Sequence, residues 1–144
     1  MYMIRKAVFE DLDGLIKLNE NELGYQLSEV IVQKQLNKVI ASESHLLLVA
    51  ELDGNIVGYA HASEYDVLYF DSLYNLLGLS VQSDYQGRGI GRALMKAVEE
   101  AAVLKWKAGV RVNSGAQREA AHRFYQAIGY QKIKQQANFR KNLI

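Results

Sequence analysis

The stretch LSVQSDYQGRGIGRALMKAVEEAAVLKW, residues 79–106, decides how the rest of the chain is read. An apolar, β-rich run leads into it. A helical pattern leads out, with Ile90, Leu94, Val98 and Ala102 at i, i+4 spacing. Between the two stand Gln86, Gly87, Arg88, Gly89, Ile90 and Gly91. Glycine at every second position lets the backbone turn with φ > 0 or approach something closely. The loop's N–H groups fall at a helix N-terminus, where unpaired donors and the helix dipole favour an anion. Arg88 and Arg92 add positive charge there. The chemistry is that of a phosphate cradle between a strand and a helix. No Gly-Lys-Ser/Thr follows, so this is not a Walker loop. A dinucleotide fingerprint needs Gly-x-Gly-x-x-Gly and an acid on the following strand. Here the order is Gln-x-x-Gly-x-Gly, and Val110-Arg111-Val112 offers no acid.

Composition bounds the rest. A chain of 144 residues suits one domain with its own core, spanning 1–144. Hydrophobic residues make up 49%, too many for a disordered chain. Seventeen basic residues against 16 acidic ones leave a net charge of +1, which argues against a dedicated nucleic-acid binder. The absence of Cys removes disulfides, thiolate metal sites and a Cys nucleophile. Met1-Tyr2-Met3-Ile4-Arg5-Lys6 lacks a leader's apolar region, and no apolar run reaches membrane-spanning length. The expectation is a cytoplasmic protein with no membrane partner. His45, His61 and His122 lack ligand spacing and read as packing or surface residues, so no metal is expected.

Along the chain, residues 3–9 read as a strand, and Asp11 as the cap of a helix ending near Gly24. Ser28 caps a second helix. Residues 45–52 and 56–65 read as strands joined by the turn Asp53-Gly54-Asn55, with Gly58 as a bulge or a point of close packing. Residues 66–72 read as a loop. Residues 74–82 read as a strand apolar enough for the middle of a sheet. After the cradle helix, Val110 to Asn113 forms a strand parallel to it through a right-handed crossover. Residues 117–128 read as a helix stopped by Gly129. Residues 130–133 and 137–141 read as two closing strands. The fold class is α+β, or mixed α/β.

The spacing Gln86-x-x-Gly89-x-Gly91 resembles the pyrophosphate loop of the GNAT family of N-acetyltransferases. Residues Ala121-His122-Arg123-Phe124-Tyr125-Gln126-Ala127-Ile128-Gly129-Tyr130 are similar to that family's late helix and the strand after it. The element order agrees over nearly the whole chain. The resemblance implies a three-layer fold with four helices and a mixed sheet of about seven strands, splayed between its parallel strands. It implies acetyl-coenzyme A as co-substrate, lying in that splay. The pyrophosphate would rest on the N–H groups of Gln86, Gly87, Arg88, Gly89, Ile90 and Gly91, with Arg92 beside it. Backbone groups of Leu79 and Val81 would pair with the pantetheine arm like an added strand, and Asn113 would hold its amide. Tyr125 would give a hydrogen bond or proton to the departing thiolate, since a thiol pKa of about 8.5 and a phenol pKa of about 10 are close. The family's acceptor wall falls on the first two helices, where Glu20, Asn21, Glu22 and Tyr25 are the polar residues. One departure stands out: many members carry an Asn seven residues before the helix Tyr, and this chain has Arg118.

The resemblance thus implies direct acetyl transfer to a primary amine of a small molecule or a peptide N-terminus. A catalytically silent coenzyme A-binding module on the same fold is the rival. An ammonium must lose a proton before attack. Glu22, Glu64, Asp66 and Asp71 are the candidate bases, and no pattern selects among them. Tyr65, Tyr69 and Phe70 are candidates for acceptor contacts or a homodimer seam.

Overall fold

The computed structural model describes residues 1–144. Two compact units divide the chain, Met1–Val112 and Asn113–Ile144. The first carries a five-stranded sheet in the order β1-β2-β3-β4-β5, formed by β1 Met3–Lys6, β2 His45–Leu52, β3 Asn55–Val67, β4 Phe70–Val81 and β5 Gly109–Val112. Neighbours from β1 to β4 are antiparallel, and β5 joins β4 in parallel. Helices α1 Leu12–Glu22 and α2 Glu29–Ala41 precede β2, and α3 Ile90–Leu104 makes the crossover from β4 to β5.

The two sheet faces are covered by different helices. Tyr59 points toward α1, where its hydroxyl donates to Asn19 Oδ1 at 2.7 Å. Burial pushes that phenol up to about 12. Tyr59 and Val49 pack there with Leu12, Leu15, Leu18 and Leu36. A Cβ on Gly58, the next position along β3, would meet Leu94 Cδ1 at 3.3 Å and Ile90 Cγ2 at 3.5 Å, so the other face belongs to α3. The α3 stripe expected from spacing is buried there: Ile90, Leu94, Val98 and Ala102 are all at most 3% exposed.

Several details differ from the pattern reading. Asp11 precedes α1 but does not cap it through its side chain. Its carboxylate accepts from Val8 N–H at 2.9 Å and takes the Arg5 guanidinium at 2.8 and 2.9 Å, because a buried acid is best satisfied by a cation with two aligned donors. Ser28 does cap α2, accepting from Ile31 N–H at 3.5 Å. Residues 66–72 are not a loop. β3 and β4 run on until Val67 faces Phe70, and the turn between them is only two residues. Asp53 and Gly54 have φ of 50° and 80°, the left-handed pair that a two-residue hairpin requires. The ladder shifts at Ala50/Glu51, so Val57 is the bulged residue and Gly58 beside it serves the close approach.

The second unit holds α4 Glu119–Ala127. Its end is closed by Gly129 at φ 100°, with Gly129 N–H donating to Gln126 and Tyr130 N–H to Tyr125. This is the paired-bond glycine stop expected at that position. The two closing strands at 130–133 and 137–141 do not form, so the sheet has five strands rather than seven. Alternation supplies a local preference, but a strand exists only where a ladder partner takes its backbone groups. Residues 131–144 are exposed throughout, so no buried face fixes a register for them.

Candidate functional site

The parallel ladder is short. It pairs Leu73 with Gly109 through Leu76 with Val112 and goes no further, while β4 continues to Val81. A register shift against β3 places Leu77 as the extra residue of a bulge, directly after the last β5 pair. A bulge bends its strand and ends pairing, which accounts for the parting of β4 from β5 at this point.

The bond from Gln82 N–H to Val57 C=O fixes which backbone groups face the gap. Hydrogen-bonded positions alternate along an antiparallel pair. Gln82, Ser80 and Gly78 therefore turn their backbone toward β3. Leu79 and Val81 turn theirs to the edge that β5 has left. Gln86 Nε2 donates to the Val81 carbonyl at 3.0 Å, so the open groups on that edge are Val81 N–H and both groups of Leu79. Ser80 is 5% exposed, and its hydroxyl has no partner.

The chain then makes a 3₁₀ turn, Ser83–Tyr85, and enters α3. Gly87 and Gly89 have φ of 78° and 83°, and an added Cβ at either would meet nothing within 4 Å. Both are glycines for conformation, and the space above them is open. Gly91 lies inside α3 without positive φ. Gln86 N–H is used within the turn, donating to Ser83 C=O at 3.3 Å. The first intrahelical bond of α3 runs from Ala93 N–H to Gly89 C=O. The N–H groups of Ile90, Gly91 and Arg92 therefore lie in the first turn, ahead of any intrahelical acceptor. Ile90 anchors this turn by its buried side chain, 2% exposed. Arg88 lies over the Tyr85 ring at 5.1 Å, and Arg92 is exposed. Convergent N–H donors, two arginines and open space fit a diphosphate.

A groove of about 720 Å³ adjoins the same turn on the α1 side. Glu10, Asp13, Glu22 and Asp84 line it against the single cation Lys17, so its charge suits no phosphate. Glu22 is also tied down, accepting from Ser83 Oγ at 2.6 Å and Ser83 N–H at 3.2 Å. Glu64 pairs with Lys107 at 3.1 Å, and Asp71 accepts from Ser72 N–H at 2.8 Å. Asp66 is exposed near the β3–β4 turn.

In the second unit, Asn113 directly follows β5 and is exposed. Tyr125 sits on α4 with Phe124 and Tyr130 at ring distances of 5.3 and 5.9 Å. Burial raises its phenol pKa, and the charge of Arg118 offsets this in part. The hydroxyl thus stays protonated at neutral pH and is able to donate.

Pattern reading passed over two features. His45 Nδ1 and His61 Nε2 are 2.9 Å apart. Counting from the Asp53-Gly54 turn alone would put them on opposite faces; the register shift at Ala50/Glu51 sets His45 opposite Ser63 and so on the face of His61, which is why the pair was not legible. Arg111 lies 4.3 Å over the Tyr65 ring and donates to Asn75 Oδ1 at 3.1 Å. Its signal was weak, because it depends on which strand becomes β5's neighbour. No group of three or more His, Cys, Asp or Glu side chains is placed to hold a metal ion.

Known proteins share this fold. N-acetylaspartate synthetases of Rattus norvegicus and Homo sapiens are each 37% identical over 85 residues, which is 59% of this chain and 27% of theirs. The chain thus aligns with only about a quarter of those relatives' length. A transcriptional regulator from Bacillus halodurans C-125 superposes with a TM-score of 0.91 at 19% identity, covering 98% of this chain and 100% of that one. AAC(6')-Iy, an aminoglycoside N-acetyltransferase solved with a bisubstrate analogue containing CoA, superposes at 0.88 with 18% identity and 99% coverage of both chains. At such identities the structures speak for the fold. The sequence model of the acetyltransferase (GNAT) domain matches residues 15–144, and the chain belongs to that family.

Proposed function

We propose that the chain is an N-acetyltransferase that moves an acetyl group from acetyl-coenzyme A to a primary amine, directly and within a ternary complex. The observation that carries this reading is the open β4 edge, with Leu79 and Val81 facing the gap, running into the unpaired N–H groups at the start of α3. Gly87, Arg88, Gly89, Ile90, Gly91 and Arg92 take the pyrophosphate. Gln86 acts differently from its neighbours, since its N–H is spent in the turn and its side chain braces Val81. Leu79 and the Val81 N–H take the pantetheine amides, and Asn113 a further one. The amine nitrogen, once it has lost a proton, attacks the thioester carbon. The tetrahedral species then breaks its C–S bond, and the thiolate leaves with a hydrogen bond or proton from Tyr125. A positioned donor of this kind contributes roughly 10²-fold or more. The absence of Cys agrees with direct transfer, without an acyl-cysteine.

We read 1–144 as one functional domain, supported by a family match that runs from residue 15 to 144 across both units. A cytoplasmic site of action goes with this reading. No helix is long and apolar enough to cross a membrane. The test combines calorimetry with acetyl-coenzyme A and thiol release over a panel of amines. Binding followed by amine-dependent thiol release is expected. Binding without release from any amine would instead identify a silent coenzyme A-binding module, and no binding would end the assignment.

A further inference from the structure

On the premise that the chain is the acetyltransferase proposed, the order of contacts along β4 places the reacting carbon. With the diphosphate at the start of α3, the pantetheine arm passes Val81 and then Leu79. Beyond Leu79 the gap closes, because β5 rejoins β4 at the pair Leu76 and Val112. The thioester then lies beside Gly78. One face of the sheet is filled there, since Ile90, Leu94 and Val98 of α3 are buried against it. The amine must come from the α1 face. Glu10, Asp13, Glu22 and Asp84 line the groove on that side, and their field draws cations toward it.

Gly78 belongs to the α1 face. It is the partner of His61, two residues along β3 from Tyr59. A Cβ on Gly78 would meet Tyr59 Oη at 3.0 Å and Tyr59 Cε2 at 3.3 Å, so the tip of the Tyr59 ring lies over the notch that the glycine leaves. Gly78 is only half-buried, so the notch is not sealed. His61 turns the other way, with Nε2 engaged by His45 on β2. The Tyr59 hydroxyl donates to Asn19 Oδ1 at 2.7 Å, and Asn19 is held in turn by its Nδ2 bond to the Leu15 carbonyl at 3.0 Å. An amide oxygen only accepts, so the hydroxyl proton is spent and the oxygen has a lone pair to offer. Burial pushes this phenol up to about 12, so it stays protonated at neutral pH and takes no proton from an amine. A lone pair fixed at this point suits an N–H donor. A neutral primary amine has two N–H groups and one lone pair. Giving one N–H to Tyr59 leaves its lone pair free for the thioester carbon. We propose that Tyr59 orients the acceptor amine by accepting one of its N–H groups, with Asn19 fixing the hydroxyl and Gly78 leaving room for it. The N–C bond forms and the C–S bond breaks as already described, while Tyr59 neither gains nor loses a proton.

The test uses the full chain and thiol release from acetyl-coenzyme A, with spermidine, kanamycin and glycine as probe amines. The amine used best carries the comparison. Tyr59→Phe should lower kcat/KM for that amine about tenfold, the scale of one hydrogen bond. KM for acetyl-coenzyme A, and the slow thiol release to water without amine, should be unchanged. A tyrosine that only packs would alter stability and would not produce this split. Gly78→Ala should give the same split, because its Cβ displaces the hydroxyl. In the Tyr59→Phe background the cost of Gly78→Ala should largely vanish, since the displaced atom is gone. An unchanged kcat/KM in Tyr59→Phe, a loss shared by acetyl-coenzyme A and the water reaction, or an equal cost of Gly78→Ala in both backgrounds would overturn the inference while leaving the acetyltransferase reading in place. If Tyr59→Phe does not fold, Gly78→Ala alone decides by the same split. Thiol release from no amine at all would overturn both.

Discussion

Tyr125 and Asp11 show what burial does to the protonation of an ordinary side chain, and for Tyr125 it suits the role proposed. A phenol whose pKa is raised by burial remains protonated, the state needed to donate to a departing thiolate. Tyr125→Phe keeps the ring packing against Phe124 and Tyr130 and removes only the donor. We expect kcat to fall about a hundredfold with KM for acetyl-coenzyme A unchanged; an unaltered single-turnover rate would remove Tyr125 from the mechanism. Asp11 works through structure. The Arg5 hydrogen bond lowers its pKa below 3.8 against the opposing effect of burial, and the Val8 N–H assists. Its folded pKa lies below its unfolded one, so its stabilisation is present above about 3.8 and is lost as pH falls through the folded value. The pair lies between exposed and fully buried, so Asp11→Asn should cost about 2 kcal/mol at neutral pH. Urea titrations from pH 7 downward check this, and the gap between the variant and the parent should narrow as pH falls below about 3.8.

At the scale of elements, two bulges shape the site. The one at Leu77 ends the β4–β5 ladder and opens the gap. The one at Val57 lies beside Gly58, where β3 passes close beneath α3 and a Cβ would sit 3.0 Å from the Ser80 carbonyl and 3.3 Å from Leu94. The carbonyl is backbone and cannot swing aside. Gly58→Ala is therefore expected to destabilise by about 1–3 kcal/mol, as overpacked cores do. Because the proposed pyrophosphate donors lie at the start of α3, the same variant should weaken acetyl-coenzyme A binding. Chemical denaturation and calorimetry on one preparation would show both effects, and a fully stable variant with normal binding would contradict this packing.

For the whole molecule, a co-substrate that binds only the folded chain must stabilise it by mass action. At acetyl-coenzyme A a hundredfold above its Kd, the gain is about 2.7 kcal/mol, a rise of about 5–10 °C in Tm for a chain of this size. A thermal scan without and with the ligand measures it, and no rise would weigh against the cradle. What could be read directly from residues was everything local. The glycine loop, the α3 stripe from Ile90 to Ala102, the Asp53-Gly54 turn, the Ser28 cap and the Gly129 stop each depend on spacing or backbone freedom within a few positions. The left-handed turns at Gly87 and Gly89 were legible for the same reason, since glycine supplies that conformation locally. Tertiary structure decided the matters of pairing. Asp11 met Arg5 rather than its own helix, residues 66–72 became a hairpin, and residues 130–133 and 137–141 formed no strand. His45 met His61, and Arg111 met Tyr65 and Asn75, only once the strands had found their neighbours. Local chemistry is written in consecutive residues, whereas a ladder or an ion pair needs a distant partner that only the folded chain brings near.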